Sequence, residues 1–246
     1  MLPSPRGPRI LIYHQVGADL ARQMEVTVED FIWQLDWLVR NRRVVDLELA
    51  VTEWDSAGSE DLVVLTFDDG YEDTYTTAFP LLLERGLPFV LYLATEPIET
   101  GASLGSGEGA IPLTWDMISE MMASGLVTIG AHTHTHKDLR AASEEEALEE
   151  IEVSNQLIED RLGETPRHFA YPWGYWSERA HPTVTRTYET AVLGGSPRPR
   201  PHPPMHQIHR YPVQLSDGTR FFEARLQGGL RMEELARRRL RGYRGP

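Results

Sequence analysis

The sequence predicts an α/β fold in a single domain, with parallel strands forming a sheet or barrel and helices packed outside. Short runs rich in Val, Ile and Leu alternate along the chain with amphipathic stretches, and this alternation is typical of a parallel sheet. The 246 residues suffice for one large domain with a complete core. We expect that domain to span 1–246, with its core at about 9–228 and a tail at 229–246.

Six apolar runs are predicted to be strands. The run at 62–67 is the clearest, because six residues without a charge suit a strand that is covered on both faces. The predicted strands lie at 9–14, 62–67, 89–93, 127–131, 168–171 and 190–194.

Four helices are predicted between these strands, at 27–42, 72–85, 115–124 and from Ser143 onward. Thr27 suits the first N-cap, and Ser143 with Glu146 has the spacing of a capping box. The Gly- and Ser-rich stretch at 101–109 and the proline-dense stretch at 197–204 are expected to be loops, and the Arg-rich stretch at 231–244 a terminal helix.

Composition and charge argue against several kinds of partner and compartment. The formal net charge of -13 disfavours nucleic acid and anionic membrane surfaces as partners. The chain contains no cysteine, which excludes disulfides and thiolate chemistry. No apolar run reaches the length of a secretory signal or a membrane helix, so we expect a cytoplasmic protein.

Polar side chains follow several of the predicted strands. Asp68 and Asp69 come after the strand at 62–67, His132 follows that at 127–131, and His14 ends the first strand. Active sites in parallel α/β folds gather at the carboxyl ends of strands, so we expect these groups to meet.

Asp69, His132 and His136 form the composition of an open metal site. The two histidines are spaced i, i+4 and can grip one ion. A carboxylate with two imidazoles suits zinc, with cobalt, nickel or iron also compatible.

Three motifs resemble those of the polysaccharide deacetylases, carbohydrate esterase family 4. They are TFDDG at 66–70, HTHTH at 132–136 and FAYPWG at 169–174, and the opening ILIYHQVG at 10–17 is also similar to the start of many members. The resemblance runs from about residue 10 to residue 213. It implies a distorted (β/α) barrel of about seven strands.

The resemblance also implies roles for individual residues. Asp69, His132 and His136 match the metal ligands, Asp68 matches the catalytic base, and the backbone N–H of Trp173 matches an oxyanion donor. A divalent ion held there would polarise the acetyl carbonyl and acidify water, whose proton Asp68 would take.

Two positions depart from the family pattern. Many members carry an arginine where Ala170 stands, and we hypothesise that Arg210 pairs with Asp68 instead. The late histidine that serves the family as general acid has no clear match. We favour His14 as this general acid. A structural role for His14, in the core or beside the active-site residues, is equally open. The other candidates are His202, His206 and His209.

Residues in and just after the third motif, most of them aromatic, are expected to bind substrate, together with Tyr71 beside the first motif. Sugars pack their apolar faces on such rings, although some of these rings are expected in the core. The expected substrate-binding residues are Tyr71, Tyr171, Pro172 and Trp176, in addition to Trp173.

The sequence therefore predicts a metal-dependent N-deacetylase acting on a small molecule or oligosaccharide that bears an N-acetyl group, inside the cell. Two alternatives stay open: a cyclic imide or ureide hydrolase on the same fold, and a non-catalytic carbohydrate-binding protein. The oligomeric state is not indicated by any pattern in the chain.

Overall fold

The apolar runs of the sequence form a parallel sheet in the computed structural model, which describes residues 7–17, 23–103, 110–195 and 203–227. The strands are β1 (Arg9–Tyr13), β2 (Gln15–Val16), β3 (Glu25–Val26), β4 (Arg43–Val44), β5 (Leu62–Phe67), β6 (Phe89–Leu93), β7 (Val127–Ala131), β8 (His168–Ala170), β9 (Thr190–Leu193), β10 (Ile208–His209) and β11 (Tyr211–Pro212).

The helices alternate with the strands along the chain. They are α1 (Val28–Asn41), α2 (Leu47–Thr52), α3 (Phe79–Arg85), α4 (Thr95–Thr100), α5 (Trp115–Ala123), α6 (Glu144–Leu162), α7 (His181–Thr187) and α8 (Gly218–Leu226). Three tight turns complete the described chain: 3-10 turns at Ser59–Asp61 and Pro172–Gly174, and a π-helical turn at Thr74–Ala78.

The main sheet closes into a barrel at Arg210, the single residue between its two edge strands. Its order is β10-β9-β8-β7-β6-β5-β1-β11, with β4 beside β5 and every pairing parallel. The strands at the two edges of this path, β10 and β11, are separated in the chain only by Arg210. They act as one interrupted strand, so the barrel has seven strand positions. The predicted distorted barrel of about seven strands in a single domain is confirmed.

Alternation along the strands separates two apolar layers, because successive side chains point to opposite faces. One cluster fills the barrel and includes Ile10, Val64, Val90 and Val192. The larger cluster lies between the barrel and the helices, and Phe31, Leu35 and Leu38 of α1 belong to it. The buried barrel thus provides a rigid frame for groups at its carboxyl-terminal rim.

Two predicted helix starts are confirmed in detail. The Thr27 side chain accepts a hydrogen bond from Asp30 N, and Ser143 and Glu146 cap each other reciprocally. The helix predicted at 72–85 contains the π-helical turn just before α3. Pro80 is the second residue after that turn. Because proline lacks the N–H that an α-helix needs, it favours the change in hydrogen-bond pattern.

Three predicted segments fall partly or wholly on residues that the structure does not describe. Most of the loop at 101–109 and of the proline-dense loop at 197–204 lies outside the described residues, as does the whole stretch at 231–244. Among the residues that are described, no helix has both the length and the apolar character needed to cross a membrane.

Gly130 of β7 makes room for a large ring inside the barrel. A Cβ at this position would lie 2.4 Å from Cδ1 of Tyr92. The Tyr92 ring is fully buried, and the Arg210 guanidinium lies over it at 5.2 Å from the ring centroid. A glycine in β7 is therefore required by the packing beneath Arg210.

We predict that Gly130→Ala destabilises the protein by about 1–3 kcal/mol, because the added methyl group overpacks the barrel. Urea unfolding monitored by tryptophan fluorescence measures the change. Gly218→Ala is the matched control, since a Cβ there meets nothing within 4 Å. Equal stability of the Gly130 variant and the wild type would contradict this packing argument.

Candidate active site

The chemical groups predicted at the strand ends meet at the carboxyl-terminal rim of the barrel. Asp68 and Asp69 follow β5, His132 follows β7, and Asp68 N donates to Tyr13 O at the end of β1. Asp68, Asp69 and His132 are buried, with at most 7% of each residue exposed. Such burial of charged groups requires specific partners.

Arg210 is the partner of Asp68. Its Nη1 and Nη2 donate to Asp68 Oδ1 and Oδ2, each at 2.6 Å, and Nη1 also donates to Thr66 Oγ1 at 2.9 Å. Burial alone would raise the pKa of Asp68, but the guanidinium and then His132 hold that pKa below its ordinary value. The hypothesised pairing of Arg210 with Asp68 is present, and it keeps the carboxylate ionised.

Asp69, His132 and His136 converge on one point. Asp69 Oδ1 lies 3.3 Å from His132 Nε2 and 3.2 Å from His136 Nε2. One ligand atom from each residue lies within 4.8 Å of the others. Among the residues that the structure describes, Asp69 Oδ1 is buried and has no hydrogen-bond partner. The three side chains can therefore hold a metal ion.

A backbone carbonyl fixes the orientation of the His132 ring. Nδ1 of His132 lies 2.7 Å from Ala170 O. Because a carbonyl only accepts hydrogen bonds, Nδ1 carries a proton, and Nε2 is the ring nitrogen that faces Asp69. A carbonyl partner of this kind is the usual means of setting the tautomer of a metal-binding histidine.

The pKa values of the two histidines are shifted in opposite directions. Burial would lower the pKa of His132, but its contacts with Asp69 and Asp68 raise it. Burial lowers the pKa of His136. The pKa of Asp69 is held well below its ordinary range, because His132 and His136 outweigh the effect of burial.

Backbone strain is concentrated at this rim. Four residues other than glycine have positive φ in the described part of the chain: Asp69, Thr133, His136 and Trp173. All four belong to the motifs that carry the site. Left-handed backbone costs such residues about 1–3 kcal/mol each and persists where the surrounding structure imposes it.

Trp173 presents an exposed ring beside His136. It is 63% exposed, and the two ring centroids lie 5.3 Å apart. The turn that carries it is fixed by a close approach of two glycines, since a Cβ on Gly174 would lie 2.4 Å from Gly194 Cα. Gly194 N also donates to Gly174 O at 3.0 Å.

The other expected substrate-binding residues offer less surface. Tyr171 is fully buried in the helix-side core and its hydroxyl pairs with His181 Nδ1, so its ring has no exposed surface on which a substrate could pack. The reason is strand alternation, which turns Tyr171 outward while Ala170 faces the barrel. Pro172 is buried, and Tyr71 packs against Ala94 and Ala110.

Trp176 is half-buried, packs against the helix-side core and lies 5.6 Å from the His181 ring. Among the described aromatic residues that the sequence singled out, Trp173 is therefore the one with an exposed ring beside His136.

The histidines considered as general acids lie in different places. His14 follows β1, is half-buried, and is close enough to lower the pKa of both Asp68 and Asp69. His206 Nε2 lies 2.7 Å from Tyr188 O, ahead of β9 and thus at the amino-terminal end of the barrel. His202 lies outside the described residues. His134, which lies between the two candidate ligands in the chain, pairs with Thr95 Oγ1 through Nδ1.

Asp73 is a half-buried carboxylate that the sequence did not indicate. Its Oδ1 accepts from Val16 N at 2.9 Å, and its Oδ2 accepts from the Gln15 side chain at 3.3 Å. It therefore ties the segment after His14 to the segment after Asp69. Burial raises the pKa of Asp73 to about 6. The sequence signal was weak, because the main partner is a backbone N–H.

The fold and the site define a barrel enzyme with its reactive groups at the carboxyl ends of the strands. The family model for polysaccharide deacetylase matches residues 55–190, more than half of the chain. The chain belongs to the polysaccharide deacetylase family, hydrolases that act on amide C–N bonds.

Individual relatives agree with this assignment. The Bacillus subtilis (strain 168) protein YxkH, named as a polysaccharide deacetylase, is 26% identical over 214 residues, which cover 85% of this chain and 71% of YxkH. The Escherichia coli (strain K12) poly-beta-1,6-N-acetyl-D-glucosamine N-deacetylase is 30% identical over 141 residues, covering 52% of this chain and 21% of that protein. The solved structure of IcaB from Ammonifex degensii is 25% identical, with a TM-score of 0.77 over 91% of this chain and 98% of IcaB.

We predict that Arg210→Met destabilises the protein by about 3–5 kcal/mol, because it leaves the buried Asp68 carboxylate unpaired. Urea unfolding at neutral pH measures the loss. The double variant Asp68→Asn/Arg210→Met should recover most of it, since both charges are then removed. Arg161→Met is the control. It breaks an exposed pair with Glu99 and should cost less than about 1 kcal/mol.

We predict a pH-dependent stability difference between the wild type and Asp73→Asn. Between about pH 4 and about pH 6 the folded protein keeps a proton on Asp73 that the unfolded chain has released, so wild-type stability falls relative to the variant as pH rises. The relative fall reaches about 3 kcal/mol for a shift of about two pKa units. Unfolding curves at several pH values measure it, and parallel pH profiles would contradict the prediction.

Proposed function

We propose that this protein is a metal-dependent N-deacetylase that hydrolyses the acetamide group of an N-acetylated sugar. The proposal is carried by one observation: the buried Asp69 Oδ1 lies 3.3 Å from Nε2 of His132 and 3.2 Å from Nε2 of His136. Family membership supports the reaction class.

The donor set fits a divalent cation. Burial would lower the pKa of His132, but Asp69 and Asp68 raise it, so these carboxylates favour positive charge at this point. A divalent cation held by Asp69 Oδ1 and the Nε2 atoms of the two histidines would supply that charge. One carboxylate and two imidazoles also leave coordination positions open, as catalytic sites require. Zinc is the metal we favour, and cobalt, nickel or iron suits the same ligands.

A divalent ion bound there would supply Lewis acidity to water and to the acetyl carbonyl. Asp68 is ionised and can accept the proton of the attacking water, because each carboxylate oxygen retains a lone pair beyond its bond to Arg210. Arg210 acts by holding the Asp68 carboxylate in one orientation. Its removal would change both the position and the basicity of the base.

Two further groups complete the proposed reaction. The backbone N–H of Trp173 would donate to the oxyanion that forms when water adds to the amide carbonyl. His14, half-buried near both aspartates, would give a proton to the departing amine. Asp73 would support His14 through its bond to the adjacent segment.

We propose an N-acetylglucosamine oligosaccharide as the substrate class. The E. coli relative is named for a polymer of this sugar. The exposed Trp173 ring beside His136 offers an apolar face on which a sugar ring can stack. The alternatives of a cyclic imide hydrolase and a carbohydrate-binding protein gain no support from a site that keeps both aspartates and both histidines.

The decisive experiment combines metal analysis with acetate release. We expect wild-type protein to contain about one divalent ion per chain and the variant His132→Ala/His136→Ala to contain none. After stripping and reloading with zinc, cobalt or nickel, the wild type should release acetate from N-acetylglucosamine oligomers. Asp68→Asn should keep its metal and lose about 10²–10⁴-fold in kcat.

The outcomes separate the parts of the proposal. Failure of the wild type to take up any of the three metals would contradict metal dependence. Metal uptake without acetate release from β-1,6- or β-1,4-linked oligomers would contradict the substrate class. Full activity of Asp68→Asn would remove Asp68 from the role of base.

A further inference from the structure

Glu150 is a buried carboxylate that forms three hydrogen bonds with the loop between His132 and His136. It lies on α6, is 8% exposed, and its Oε2 accepts from His134 N at 3.0 Å and from Thr135 N at 2.8 Å. Its Oε1 accepts from the Thr135 hydroxyl at 2.5 Å. One side chain on a helix thus holds two consecutive backbone N–H groups of the loop.

This loop has an unfavourable backbone conformation. Thr133 has φ 67° and His136 has φ 57°, so a left-handed residue lies on each side of the segment that Glu150 holds. Threonine is β-branched and tolerates this region poorly. Without external partners the loop would relax, and the direction of the His136 side chain would change.

The loop is also held from the opposite side. Thr95 N donates to Thr133 O at 3.2 Å, and Glu96 N donates to His134 O at 2.8 Å. The loop carbonyls therefore bond to the start of α4, whereas the loop N–H groups at His134 and Thr135 bond to Glu150. Glu150 supplies the charged member of this arrangement, and hydrogen bonds to an ionised acceptor are the stronger ones.

We propose that Glu150 is a positioning residue for the metal site. It holds the loop from His132 to His136 in the conformation that brings the Nε2 atoms of both histidines to Asp69 Oδ1. The inference rests on the proposed metal-dependent function and adds to it a residue that does not touch the metal. The two histidines can remain chemically intact while the affinity of the site falls.

The test measures zinc affinity by competition with a chromophoric chelator, using the full chain. We expect the zinc Kd of Glu150→Ala to rise about 10–100-fold, the usual effect of losing a group that orients metal ligands. Glu150→Gln keeps one acceptor oxygen for the two N–H groups, so its Kd should lie between those of Glu150→Ala and the wild type.

Glu149→Gln is the matched control. It removes the same charge from the neighbouring exposed position of the same helix, so it reports any general effect of charge on cation binding. Its zinc Kd should equal that of the wild type. In metal-free protein, amide hydrogen exchange at Thr135 should be faster in both Glu150 variants than in the control.

Each outcome decides the inference. Wild-type zinc affinity and unchanged exchange in folded Glu150 variants would overturn it and leave the proposed function intact. Absence of zinc uptake by the wild type would overturn the proposed function and, with it, this role. If Glu150→Ala does not fold, an unchanged Kd in Glu150→Gln overturns the inference, and a raised Kd beside an unchanged Glu149 control supports it.

Discussion

The buried ion pair between Asp68 and Arg210 is the interaction on which the rest of the site depends. A carboxylate inside a closed barrel is expensive unless a cation with matching geometry meets it. Arg210 meets both oxygens, and it does so from the residue that joins β10 and β11. The residue that joins the two edge strands of the sheet is therefore also the residue that keeps Asp68 ionised.

The neighbouring groups follow from that constraint. With Asp68 fixed at the end of β5, the left-handed turn at Asp69 directs a second carboxylate toward the two histidines. Ala170 O sets the ring of His132, and Glu150 holds the loop that leads to His136. A packed barrel can impose such strained conformations because its strands cannot shift independently.

Strand identity was predictable where strands are free of charge. The six predicted strands all occur, but the seventh was missed because Arg210 interrupts it and its two parts have two residues each. The three residues of the candidate metal site were also predictable, because Asp69, His132 and His136 follow predicted strands. Asp73 and Glu150 could not be recognised, because their partners are backbone N–H groups that no residue type reveals.

Tyr171 illustrates a second limit of prediction from sequence, which concerns the direction of a side chain. Its position in the third motif suggested contact with substrate. Side chains alternate between the barrel and the helices at the end of β8, however, and Tyr171 faces the helices whereas Ala170 faces the barrel. The cytoplasmic location stays a prediction.

The position of the closing strand also has a consequence for the order in which the protein assembles. During synthesis the segment at 208–212 emerges after every other strand of the barrel. Until then β1 and β9 each have an open edge, and Asp68 has no arginine. A barrel that lacks this segment would expose two strand edges and leave Asp68 without its cationic partner. The surroundings of Asp68 are therefore complete only when the segment at 208–212 is in place.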